Sequence, residues 1–321
     1  MPSRFPIFER ARLTTLPLGH RRHNLNLSDM KTLKSVKCVH DELRLTAEAM
    51  LDARANGAAI IFMMGAHVIR SGVQRYIIDF MRRGLVTCLA GNGACAVHDF
   101  ELALIGATTE SVADYIKIGQ FGLWDELELL NKALLNGVKH GWGAGECVGR
   151  LIDEGSFPHA DISLFAAAWR FGIPFTVHIG IGNDIIHQLP SCNGAAIGQA
   201  SYTDFLIFAN KIENLEGGVY TNFGSAVTGP EVYLKALSMA RNVSGGDRRP
   251  RQFTTLVCDL HDLPQNVSQE ADKQNPLYYY RPWKTILART LNEGVGYYVK
   301  GCHDYTVPAL WTAIGEAEKA G

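Results

Sequence analysis

Two apolar runs without polar alternation, each closed by glycine, constrain this chain most. Ala58-Ala-Ile-Ile-Phe-Met-Met64 stops at Gly65, and Leu85-Val-Thr-Cys-Leu-Ala90 stops at Gly91. A strand with one solvated face alternates in polarity. One that is apolar throughout is covered on both faces, as in a parallel sheet wrapped by helices. The segments around these runs fit that arrangement. Residues 41–54 place Leu43, Ala47, Met50 and Leu51 on one helical face, and Ser71 to Arg83 is amphipathic with a Gly84 stop.

The alternation continues along the chain. The pattern predicts helical structure over 110–155, interrupted by the glycines of 140–145, then a helix over 162–171, a strand over 173–179 and a helix over 200–214. A short strand over 219–222 precedes a helix over 229–241 that has Pro230 in its first turn. Two late strands, 253–258 and 297–300, and a closing helix over 305–320 complete it. The expected fold class is α/β, a mostly parallel sheet with helices on both faces. Residues 30–321 read as a single domain. Residues 1–29 show neither period and read as an arm.

Composition narrows the function classes. Across 321 residues the formal net charge is -1, which supplies no general field for nucleic acid or an anionic membrane. Basic residues collect at the start (Arg4, Arg10, Arg12, then His20-Arg21-Arg22-His23) and in Asp247-Arg248-Arg249-Pro250-Arg251, among Pro, Ser and Gly, and both clusters read as solvated arm or loop in preference to a phosphate-binding patch. The seven cysteines include no C-x-x-C pair, which argues against a disulfide framework or a zinc ribbon. No apolar run approaches a membrane span, no secretory signal is visible, and the cytoplasm is the expected compartment.

Ligands in such sheets bind beyond the carboxyl ends of the strands. Four segments begin there with glycine beside polar groups: Gly65 to Gly72, Ala90 to Glu101, His178 to His187 and Asn222 to Gly229. Their common edge predicts a composite pocket for a small molecule. In Ala90-Gly-Asn-Gly, glycine lets the backbone approach a ligand at a helix start, or simply turns the chain. A helix starting near Val97 would put Asp99 and Glu101 in its first turn; alternatively, one of these carboxylates holds ribose hydroxyls or a substrate amine. His98 and His178 are candidate proton shuttles. His178, Asp184 and His187 are a possible metal set, although their spacing matches no compact metal signature, and a metal-free polar pocket is the preferred reading. In Tyr278-Tyr-Tyr-Arg-Pro-Trp-Lys284, aromatics desolvate Lys284 as a base or imine-forming nucleophile, or Arg281 and Lys284 bind a carboxylate, or the aromatics pack a subunit interface.

The order of these motifs resembles the deoxyhypusine synthase superfamily, and best its bacterial deoxyhypusine-synthase-like branch. The resemblance runs from about Ile60 to Ala313, through Gly65 to Gly72, Ala90-Gly-Asn-Gly, Gly182-Asn-Asp-Ile-Ile186, the Gly224 turn, Trp283-Lys284 and Gly301 to Pro308. The segment AGNGACAVHDFE looks even more like the matching domain of archaeal ornithine cyclodeaminases and bifunctional lysine-degrading enzymes. The resemblance implies a Rossmann-like architecture that binds NAD, with Ser71, Gly72, Ala90, Gly91, Asn222 and Gly224 at cofactor-contacting positions and His303 in the last cofactor-contacting segment; Asn92 and Asp99 are cofactor candidates from their place in the strand-end segment. It further implies Lys284 as an imine-forming residue, Asp184 holding the substrate ammonium, a small amine or amino-acid substrate, and a homotetramer. The chain departs from the synthases where Trp283-Lys284 lacks an intervening glycine, where Ile179 stands near a family carboxylate, where a glycine triplet is reduced to Asn222-Phe-Gly224, and where Cys302 stands near a cofactor-holding aspartate. The expected function is therefore an NAD-dependent enzyme that oxidises an amine or amino acid to an imine for transfer or hydrolysis. A metal-dependent hydrolase or lyase and a non-catalytic nucleotide-binding protein are the alternatives.

Overall fold

A computed structural model describes residues 3–245, 250–291 and 293–320. Most of the 247–251 basic cluster lies outside the described residues. Six strands form one sheet: β1 (Ile60–Met64), β2 (Cys88–Asn92), β3 (Phe175–His178), β4 (Val219–Phe223), β5 (Thr254–Asp259) and β6 (Val295–Lys300). Their spatial order is β3-β2-β1-β4-β5-β6, and every pairing is parallel. This is the 3-2-1-4-5-6 order of doubly wound dinucleotide-binding sheets. The expected α/β fold class stands.

The apolar runs divide between two faces at period two. Ile60, Phe62 and Met64 enter one core with Leu89 and Phe223, while Ile61 and Met63 enter the other with Cys88, Ala90 and Tyr220. Helices α1 (Asp41–Ala55), α2 (Gln74–Arg82), α3 (Gly93–Ile105), α4 (Glu128–Gly137), α5 (Ala144–Glu154) and α6 (Leu164–Phe171) contribute to the first core. Helices α7 (Gly194–Glu213) and α8 (Thr228–Ser244), with a π-helical segment at Pro282–Arg289, build the second, and α9 (His303–Ala320) packs on α1 in the first. Among the described residues, no helix is long and apolar enough to cross a membrane.

Two boundaries differ from the sequence reading, and both matter for the site. Strand β2 runs two residues further than expected, so Ala90 and Gly91 lie within the sheet. A side chain at Gly91 would meet the Cys95 sulfur and the Phe175 ring, so packing accounts for that glycine. Helix α3 starts at Gly93, four residues before Val97, because the Asn92 side chain accepts from the Cys95 amide and caps it. Asp99 and Glu101 therefore sit in the body of α3. The arm is also anchored on this chain from Leu16 onward: Leu16 bridges to Trp124, Leu18 is fully buried, and Leu25–Asn26 pairs antiparallel with Ala107–Thr108.

Candidate functional site

The strand order reverses between β1 and β4, and the loops leaving these two strands flank a crevice of about 350 Å³. Gly65, His67 and Arg70 line one side, Gly224 to Thr228 the other, and Asn92, Ala94 and His98 close it from β2 and α3. Two glycines set its width. A side chain at Gly65 would strike the Gly224 carbonyl, and Gly224 itself has φ +65 with the His303 ring where its Cβ would be. Beneath the crevice, Asn222 donates to the Ser225 carbonyl at 3.0 Å while its buried Oδ1 has no partner. Helix α8 begins at Thr228 on this rim, with the Gly229 amide donating to Ser225 Oγ, Pro230 lacking an N–H and the Glu231 amide donating to the Val227 carbonyl. Glycine-lined backbone loops at the switch point of the sheet fit the approach of a dinucleotide.

A second cavity, also about 350 Å³, shares Arg70, Ala94 and His98 with the first. Its remaining walls include Arg21, Glu101, Thr109, Glu110, Phe121, Asn183 and Asp184. Arg21 comes from the arm. It was expected to be solvated, yet it is only 5% exposed, which reverses its role. Its Nη1 donates to Glu101 at 2.6 Å, its Nε donates to His23 at 3.2 Å, and its guanidinium lies 5.7 Å from the centre of the Trp124 ring. The amphipathic stem and the paired head explain how a charged arm residue enters the core.

Glu101 also accepts from the Thr108 hydroxyl, and that oxygen lies 2.7 Å from His98 Nδ1. Since the hydroxyl proton points to the carboxylate, Nδ1–H must donate to the hydroxyl oxygen, which leaves Nε2 as the unprotonated nitrogen. Burial lowers the His98 pKa to about 4, with Glu101 opposing the shift, so the ring is neutral at pH 7. A neutral, oriented imidazole that lines both cavities can accept a proton or a hydrogen bond.

Asp184 lies against the start of α3, where it accepts from the Ala94 amide, and a side chain at Gly93 would overlap its carboxylate. Burial raises its pKa to about 6, opposed by His187. His178, at the end of β3, borders a third and more open cavity of about 410 Å³ with Asn183, Tyr202 and Glu231. Its Nε2 is 3.1 Å from the Thr176 hydroxyl, its ring packs edge-on to Phe208, and desolvation lowers its pKa to about 3. The proposed metal set does not assemble: among the described residues no three His, Cys, Asp or Glu side chains converge. The reason is local. His187 Nδ1 turns back to the Asp184 carbonyl at 2.8 Å, while His178 faces Thr176 and Phe208.

Other expected contacts fall elsewhere. Asp99 accepts from the Ser163 hydroxyl and the Leu164 and Phe165 amides, so it caps α6, and burial raises its pKa to about 6. Its carboxylate has no free reach for a ribose, which corrects its assignment. Ser71 donates to the His67 carbonyl, and Gly72 packs against the Asp29 backbone; neither lines the crevice. His303 lies behind Gly224, buried, with Nδ1 unpartnered. Lys284 lines none of the three cavities. Its ammonium sits 3.3 Å from the centre of the Tyr278 ring and 4.9 Å from that of Tyr279.

Sequence reasoning missed Arg21, Arg70, Thr109 and Glu110 as cavity walls. Only Arg70 carried a local signal, its place in a glycine-bounded strand-end segment.

Residues 44–137 match the family described as "Arginine dihydrolase ArgZ-like, C-terminal, Rossmann fold". Among solved structures, the chain is similar to ArgZ, an arginine dihydrolase from the ornithine-ammonia cycle in cyanobacteria, at 17% identity and TM-score 0.50 over 86% of this chain and 33% of that one. It is also similar to AgrE in ternary complex with ornithine and NAD+, at 16% identity and TM-score 0.51 over 91% of this chain and 35% of that one. A conserved putative LOR/SDH protein from Methanococcus maripaludis S2 aligns at 14% identity and TM-score 0.52, over 89% of this chain and 72% of that one. The chain thus spans about a third of the length of ArgZ and AgrE. Comparison with curated proteins gives no match. The fold is Rossmann-like. None of these likenesses singles out deoxyhypusine synthase.

Proposed function

We propose that this chain is an NAD-binding enzyme that acts on an amino acid or related amine. One observation carries the reading: the crevice at the reversal of strand order adjoins a second cavity lined by charged side chains, and Arg70, Ala94 and His98 line both. The Gly65 and Gly224 loops would hold the cofactor, and the second cavity would hold the substrate. The AgrE complex with ornithine and NAD+ supports both the pairing and the substrate class.

When bound, NAD supplies a hydride acceptor for a carbon bearing nitrogen. His98 Nε2 accepts a proton where the two cavities adjoin, held in its tautomer by Thr108 and Glu101. Asp184 and Glu110 attract the substrate ammonium. The homotetramer implied by the resemblance belongs to this proposal, and sedimentation tests it. The imine role for Lys284 is not part of it, because that side chain lies outside both cavities. Titration calorimetry with NAD+ is the direct test. Saturable heat at micromolar to millimolar cofactor is expected, and no heat or competition at millimolar NAD+ would overturn the reading.

A further inference from the structure

We propose that Arg70 is the anion-binding residue of the crevice between β1 and β4, and that its guanidinium, in place of backbone amides, holds the diphosphate of the dinucleotide. This rests on the cofactor reading of the crevice and assigns the residue that supplies its charge. In most doubly wound sheets a glycine-rich turn and the helix start behind it bind the diphosphate through N–H groups. Here the helix starts on the crevice wall are already capped. Helix α3 gives its Cys95 amide to the Asn92 side chain at 3.3 Å and its Ala94 amide to Asp184. At α8 the Gly229 amide donates to Ser225 Oγ at 2.9 Å, and Pro230 has no N–H to offer. The segment Gly65 to Gly72 contains no G-x-G-x-x-G turn either.

A side chain must then balance the anion, and the wall offers few. Among the described residues it carries no aspartate or glutamate, and its ionisable side chains are Arg70, His67 and His98. Burial lowers the pKa of both histidines, Glu101 opposes the shift at His98, and the Arg70 charge lowers both further, so the two rings are neutral at pH 7. Arg70 is thus the one permanent charge on this wall among the described residues. Its head is accessible and oriented. Arg70 is exposed, and its Nη1 lies 3.1 Å from His67 Nε2, a second wall residue. Arginine can only donate, so His67 Nε2 accepts and steadies one edge of the fork. The side chain makes no other hydrogen bond and no ion pair among the described residues. Its remaining N–H groups stay open to a ligand, in the fork geometry that suits two phosphate oxygens.

The experiment is calorimetry on the full chain with NAD+ and with ADP-ribose, which keeps the diphosphate and lacks the nicotinamide. Arg70→Gln leaves untouched the glycines that set the width of the crevice, and should weaken both ligands by about tenfold or more, the strength of a charge-assisted contact. Arg70→Lys keeps the charge but loses the fork, and should weaken both by about threefold. Arg75→Gln removes an exposed arginine that lines neither cavity, and should change both by less than about twofold. Inorganic pyrophosphate should compete with NAD+ in the wild type and much less in Arg70→Gln. Binding of NAD+ to Arg70→Gln within twofold of the wild type, an equal loss in Arg75→Gln, or pyrophosphate competition that survives in Arg70→Gln overturns the proposal. Since Arg70 is exposed and joins no ion pair, its variants should keep the fold, and Arg70→Lys gives a second measure. The cofactor reading fails separately: a wild type without NAD+ heat overturns both, whereas equal NAD+ binding by wild type and Arg70→Gln overturns the role of Arg70 alone.

Discussion

The two cavities that meet at His98 are built by different means. The crevice between β1 and β4 is shaped by backbone: Gly65 against Gly224, a helix start at Thr228 and the loop held by Asn222 and Ser225. The neighbouring cavity is shaped by side chains from residues far apart in sequence, Arg21, His98, Glu110 and Asp184. A backbone site tolerates chemical change in the surrounding side chains but not added volume at its glycines. A side-chain site tolerates little loss of charge, because each buried charge is balanced by another.

Substitutions can separate the two. Arg21→Met should have the largest effect, leaving Glu101 buried without its cation and costing about 3–5 kcal/mol of stability in urea unfolding. A loss below about 1 kcal/mol would mean that the arm is not an electrostatic part of the core. Gly65→Ala should cost about 1–3 kcal/mol through its contact with the Gly224 carbonyl, and should weaken NAD+ while sparing amino-acid binding. Equal weakening of both ligands would erase the distinction between the cavities.

Acid titration sharpens the comparison within the side-chain cavity. The folded pKa of Asp184, about 6, lies above its ordinary 3.8. As pH rises through that window the unfolded chain ionises first, so this group removes stability. The folded pKa of His98, about 4, lies below 6.5, so on acidification the unfolded chain takes up the proton first, and stability is lost as pH falls from 6.5 towards 4. The two trends oppose. Asp184→Asn should steepen acid destabilisation between pH 6 and 4, and His98→Asn should flatten it, both measured by denaturant midpoints at fixed pH. Identical slopes in both variants would show that these groups do not titrate as their burial implies. Smallest of all, Lys284→Met should change affinity for NAD+ or amino acid by less than about twofold in calorimetry, since the side chain contacts neither cavity.

The backbone site was largely legible beforehand. Strands apolar at every position and closed by glycine marked Gly65, Asn92 and Gly224 near one edge, because strand burial and glycine geometry are local properties. Helix starts were less legible: Asn92 caps α3 four residues before the expected point, and this moved Asp99 from the rim into a cap on α6. The metal set failed for a related reason. Nearness in sequence between His178 and His187 does not control where two rings turn after Gly180 and Gly182.

Sequence by itself determined a mostly parallel sheet covered by helices on both faces and the edge where its glycine-bounded loops gather, since hydrophobic period and glycine punctuation act within a few residues. Only the tertiary structure decided that Arg21, which reads in sequence as a solvated arm residue, is a buried cation facing Glu101 and Glu110. Charge burial depends on which distant partner removes the cost of desolvation, and no local pattern records that partner.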